Sequence, residues 1–161
     1  MTPAAQIVET ALRKGVLIAT AESCTAGMIS AAITDIAGSS AVFDRGFVTY
    51  SNAAKMDMTG VQPSTLASYG AVSQEVVREM AEGALKSSGA QIAVAVSGIA
   101  GPGGSEHKPE GRVCFALSCE TQITKSETID FGAIGRAQVR QATVNHALEM
   151  LLSGLSSFDD K

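Results

Sequence analysis

The stretch Val16-Leu17-Ile18-Ala19-Thr20-Ala21-Glu22-Ser23-Cys24-Thr25-Ala26-Gly27 decides how the chain folds. Residues 16–20 are a short apolar run with the β-branching of a buried strand. Residues 21–27 are small and polar, and residues 28–35 read as a helix. Strand, small polar turn, helix is the geometry of an α/β ligand site. The pattern recurs downstream, where the apolar strand 91–96 runs into Ser97-Gly98-Ile99-Ala100-Gly101-Pro102-Gly103-Gly104. Small residues let backbone N–H groups approach an anion, and a following helix start adds partial positive charge. A single such loop is ordinarily just a tight turn. Two in one small domain point to a phosphorylated ligand or a developing oxyanion.

The flanks complete the pattern. Thr2 caps a first helix that Pro3 opens, with Ile7, Val8, Ala11 and Leu12 on one face and Gly15 as its stop. Residues 42–50 read as a strand, with a bulge at 44–46. Short helices follow at 52–58 and 63–69. Ser73 caps a longer helix that buries Val76, Val77, Met80, Ala84 and Leu85 and stops at Gly89. Residues 112–118 and 121–130 form a hairpin in which Val113, Phe115 and Leu117 alternate. A last helix spans 136–152, and the tail after Gly154 is expected to be loose. Repeats, linkers and low-complexity tracts are absent. The order predicts one α/β domain over 1–161, three layers (α/β/α) around a mixed sheet.

Composition removes several functions. The chain has 161 residues, enough for one domain to bury a full core. Its net charge is −4, aromatics are 4% and Trp is absent, which argues against nucleic-acid binding. The three cysteines form no pairing pattern and read as free thiols of a reducing compartment. The two histidines have no metal-ligand spacing, so no metal is expected. No run has the length of a signal peptide core or a membrane span. The expectation is a cytoplasmic protein that binds neither membrane nor nucleic acid.

Hydrolytic chemistry has few places to reside. A serine needs a base, and where histidine is scarce a desolvated lysine can serve, with a tyrosine to relay protons. Ser39, Ser40, Tyr50 and Lys55 lie within one segment, and Tyr50 and Lys55 are five apart at a strand end and a helix start. From spacing alone, Lys55 reads more simply as a surface residue. Cys24 at a helix start is a rival nucleophile, since a thiol pKa can fall there. His107 and His146 are further candidates without a neighbouring carboxylate at motif spacing. Arg136 and Arg140, four apart, fit either a phosphate clamp or a solvated helix face.

These residues carry a resemblance. Ala21-Glu22-Ser23-Cys24-Thr25 resembles the AESCTGG motif of the CinA C-terminal domain family. Ala37-Gly38-Ser39-Ser40 with Phe43, the run 46–52 and Lys55 resembles its second block. The segment 69–73 resembles its GAVS block, and Ser97-Gly98-Ile99-Ala100-Gly101-Pro102 with Gly104, Lys108-Pro109 and Gly111 its SGIAGP block. The blocks occur in family order. The resemblance implies deamidation of nicotinamide mononucleotide to nicotinic acid mononucleotide and ammonia, by a Ser-Lys amidohydrolase without metal or cofactor, usually dimeric.

By that resemblance Lys55 is the general base, and Tyr50 orients it or shares the proton. The nucleophile is Ser23 or Ser40. Thr25, Gly27, Ser97, Gly98 and Gly101 hold the substrate or its oxyanion, and Arg136 or Arg140 the phosphate. Ala26 stands where the family motif has a second glycine, and Glu110 where members often carry valine. The alternatives are a nucleotide-binding module without catalysis, and a hydrolase of another amide or ester.

Overall fold

The structure, a computed structural model, describes residues 1–161. Helix α1 (Pro3–Lys14) opens where the Thr2 hydroxyl accepts from Ala5 N, and closes at Gly15. Val16 N still donates to Ala11 O, as part of the helix cap. Strand β1 (Ile18–Glu22) therefore starts two residues later than the apolar run suggests and carries on through Glu22. It is followed by α2 (Met28–Thr34), a 3₁₀ turn at Ser39–Ala41, and β2 (Phe43–Val48). Next come α3 (Asn52–Thr59), α4 (Pro63–Tyr69), α5 (Gln74–Lys86) and β3 (Ile92–Gly98). The hairpin β4 (Arg112–Cys119) and β5 (Gln122–Asp130) leads to α6 (Arg136–Leu155).

The sheet order is β2-β1-β3-β4-β5. β2, β1 and β3 run parallel, and β3, β4 and β5 are antiparallel to one another in turn. The mixed sheet and the hairpin are thus as the sequence predicts. So is the bulge: Ile18 pairs with Phe43 and Ala19 with Arg45, so Asp44 is skipped.

The two sheet faces differ in side-chain size. Ile18, Ile92, Val94, Val96, Val113, Phe115 and Leu117 join one buried cluster with residues of α1, α2 and α6. Ala19, Ala21, Ala93, Ala95, Cys114 and Ala116 join the other with Val76, Val77, Met80, Ala81 and Ala84 of α5. Alternation along each strand sorts large from small, and the small face lets α5 lie close to the sheet. On the α2 side, β1 continues the alternation Ile18, Thr20, Glu22, so two polar groups point into the interior beside the start of α2.

The C-terminal tail corrects an expectation. It docks on α1 rather than hanging loose. Phe158 packs against the larger cluster, Asp160 pairs with Arg13 at 3.1 Å, and Lys161 N donates to Arg13 O. An apolar ring with somewhere to bury outweighs the usual fraying of a terminus. No helix is long and apolar enough to cross a membrane.

Candidate active site

The chain leaves β1 toward β2 on one side and returns at β3 on the other. The carboxyl ends of β1 and β3 therefore flank the point where strand order reverses, the standard place for a ligand crevice in an open α/β sheet. A cavity of about 380 Å³ lies there. Ser23 and Cys24 reach it from the end of β1, Tyr50 from beyond β2, Asn52 and Lys55 from α3. Residues 97–103 reach it from the end of β3 and Arg136 from the start of α6.

Lys55 is carried inward by the way α3 begins. The Ser51 hydroxyl caps the helix by accepting from Ala54 N at 3.0 Å, which places Lys55 one turn in and facing the sheet. Its side chain is only 1% exposed. Nζ lies 3.1 Å from Ser23 Oγ, 2.9 Å from Thr49 O and 3.1 Å from Tyr50 O. No carboxylate pairs with it. Burial without a counter-ion lowers its pKa from the ordinary 10.5. In the neutral form that burial favours, two N–H groups can serve the two carbonyls and leave the lone pair for the Ser23 hydroxyl.

The turn after β1 is held by a carboxylate the sequence reading left without a role. Glu22 is fully buried and takes four donors. They are Thr25 Oγ1 at 2.6 Å, Ile29 N at 2.8 Å, Ser30 N at 3.0 Å and Ser30 Oγ at 2.8 Å. It thus supplies the cap that Gly27, at the helix entry, has no side chain to give. A lone acid closing an apolar strand just before a helix start was the available signal. Ala26 in this turn has φ 46°, a left-handed conformation that costs a residue with a Cβ.

The loop after β3 is equally braced. Gly111 N donates to Ile99 O at 2.7 Å, and Ile99 N to Arg112 O at 2.9 Å. Gly101 has φ +88°, and an added Cβ would stand 2.7 Å from the Glu110 carboxylate. That carboxylate accepts from Gly103 N, so the acid in place of valine fastens this loop. Ala100 and Gly101 N–H donate to no acceptor within the chain.

Lys55, Ser23, Tyr50, Ser97, Gly98, Gly101 and Arg136 are brought together at the cavity. The remaining candidates are not. Ser40 lies in the turn before β2, and Tyr50 follows its other end. A whole strand, roughly 16 Å at ~3.3 Å per residue, separates Ser40 from the crevice. Proximity in sequence misled here because the intervening residues are extended. Thr25 spends its hydroxyl on Glu22, and Gly27 lies outside the cavity lining. Arg140 turns its guanidinium onto Cys24 O at 3.0 Å and Thr25 O at 3.4 Å, away from any ligand position in the cavity. Tyr50 meets Lys55 through its carbonyl. Its phenol faces Arg136 Nη2 at 3.4 Å, so the proton-relay geometry expected of it is absent.

The rival nucleophile lines the cavity but is held protonated, and the histidines lie outside it. Burial pushes the Cys24 thiol up to about 11, with the Glu22 charge adding to the effect, so it is a protonated thiol at neutral pH. His146 pairs with Glu127 and sets its ring edge-on to Phe115, 4.6 Å between centroids. His107 is exposed in its loop. Asn52, Ala71, Val72 and Ile99 line the cavity without having been given roles.

Fold and site together define an α/β domain with a buried lysine held against a serine at the carboxyl ends of parallel strands. The chain belongs to the CinA C-terminal domain family, whose sequence model matches residues 1–155. It is 53% identical over 149 residues to the nicotinamide-nucleotide amidohydrolase PncC of Escherichia coli K12, covering 91% of this chain and 88% of that protein. It is 64% identical over 106 residues to the PncC of Enterobacter agglomerans, 65% of each chain. Longer relatives also match, and the chain spans about a third of them: a competence-damage inducible protein of Symbiobacterium thermophilum is 58% identical over 156 residues, 91% of this chain and 36% of that one. Among solved structures, the competence damage-inducible protein A of Klebsiella pneumoniae superposes with a TM-score of 0.91 at 39% identity, covering 96% of this chain and 95% of that one.

Proposed function

We propose that this chain is a nicotinamide-nucleotide amidohydrolase that works through Ser23 and Lys55. The activity rests on the PncC relatives and the mechanism on one observation, the contact of buried Lys55 Nζ with Ser23 Oγ at 3.1 Å inside the crevice. Ser23 Oγ attacks the carboxamide carbon of nicotinamide mononucleotide as Lys55 Nζ takes its proton. The tetrahedral adduct collapses when Lys55 returns that proton to the departing nitrogen, and ammonia leaves. Water, giving a proton to Lys55, then cleaves the Ser23 ester. The carboxylate product departs and Ser23 regains its proton. The free N–H groups of Ala100 and Gly101 line the same cavity and are suited to hold the oxyanion or a phosphate oxygen. Arg136 has no carboxylate partner and serves the phosphate.

Ser97 and Gly98 shape the wall of the pocket. The cavity lining contains no carboxylate, and the fixed positive charge of Arg136 suits an anionic nucleotide. By family resemblance the protein works in the cytoplasm as a homodimer or higher homo-oligomer. The test is ammonia release from nicotinamide mononucleotide, with and without chelator, beside Lys55→Ala. Chelator-insensitive release that is lost in the variant, with circular dichroism unchanged, supports the reading. A folded wild-type chain that binds the nucleotide and releases no ammonia is a binding module instead.

A further inference from the structure

Two arginines on the first turns of α6 grip the two loops of the crevice. Arg136 Nη1 donates to Gly101 O at 2.6 Å. One turn later, Arg140 donates through Nε to Cys24 O and through Nη2 to Thr25 O. Those two carbonyls belong to the residues that directly follow Ser23. Arg140 has no carboxylate partner and does not line the cavity, so neither a surface ion pair nor a ligand contact accounts for its direction. The turn needs an outside hold. It carries the left-handed Ala26, and its own bonds Ala26 N to Ser23 O and Met28 N to Thr25 O close it only locally. Ser23 N is tied to Val96 O of β3, and Glu22 holds the Thr25 hydroxyl and the start of α2, while Arg140 is the side chain that holds the carbonyls of Cys24 and Thr25.

We propose that Arg140 is a positioning residue, holding the peptides after Ser23 so that Oγ faces Lys55. This rests on the Ser23–Lys55 reading. Geometry of this kind acts on rate: displacement of a reacting atom by about 1 Å costs on the order of 10²-fold. An Arg140→Ala chain is therefore expected to lose about 10- to 100-fold in kcat with KM nearly unchanged. Arg140→Lys, able to reach one carbonyl, keeps part of the rate. Millimolar methylguanidine, which can enter the vacated space, restores part of it to Arg140→Ala.

A second readout needs no nucleotide. A fluorophosphonate forms a bond between phosphorus and Ser23 Oγ, fluoride leaves, and Lys55 takes the proton. Intact-mass measurement then gives the labelling rate at Ser23. Slower labelling in Arg140→Ala, recovered by methylguanidine, supports the proposal even if nicotinamide mononucleotide proves not to be the substrate. Labelling of Arg140→Ala at the wild-type rate overturns it. So does a wild-type chain that is not labelled at Ser23, or a variant whose only change is a raised KM, which would make Arg140 a substrate ligand.

Discussion

Lys55 is the residue on which the chemistry turns, and its burial has a thermodynamic signature. Its folded pKa lies below 10.5, while in the unfolded chain it titrates near that value. Between the two, the unfolded chain holds the extra proton, so stability rises with pH across that window. Below the folded pKa the full cost of burying the charge is present. Replacing Lys55 by Met removes this dependence. Thermal unfolding of the two proteins should show the wild type gaining on Lys55→Met as pH is raised from neutral toward 10.5. Parallel pH curves would mean that Lys55 is not desolvated as described. Ala26 gives a second residue-scale prediction. At φ 46°, Ala26→Gly relieves left-handed strain and should stabilise the fold by about 1 kcal/mol, read as a higher denaturant midpoint at unchanged slope.

At the scale of elements, the site depends on how α3 is seated. Gly83 of α5 lies against the end of that helix, and an added Cβ would stand 1.7 Å from Thr59 O. No rotamer can relieve a contact with backbone. Gly83→Ala must push α3 outward, at a cost of about 1–3 kcal/mol, and carry Lys55 away from Ser23. Activity should fall well beyond the loss of folded protein, as measured by ammonia release beside the unfolding midpoint. Elements were also where the sequence was most legible. Apolar alternation, Thr2 and Ser73 as caps, and the 44–46 bulge each follow from local rules and each stand in the structure. The first strand was displaced because Val16 serves the preceding helix cap, a bond that periodicity does not register.

At the scale of the molecule, the chemistry of the site is drawn from separate segments, and this is where the sequence ran out. The turn after β1, the entry to α3, the loop after β3 and the start of α6 meet only through the parallel order β2-β1-β3. Sequence proximity kept Ser40 level with Ser23 as the partner of Lys55, because nothing local says that β2 carries Tyr50 a strand length away. Motif blocks flagged Ser23, Lys55 and the SGIAGP loop. They could not say that Arg140 holds a backbone turn, since that contact joins segments 116 residues apart, nor that Tyr50 contributes its carbonyl rather than its phenol.

The central claim is that the serine at the end of β1, and not the one before β2, attacks the substrate. It is tested by measuring ammonia release from nicotinamide mononucleotide for Ser23→Ala and Ser40→Ala beside the wild type, all three shown folded by circular dichroism. Ser23→Ala should lose at least about 10³-fold in kcat, and Ser40→Ala should stay within about threefold, as expected for an exposed position away from the site. Turnover retained in Ser23→Ala and lost in Ser40→Ala would contradict the account.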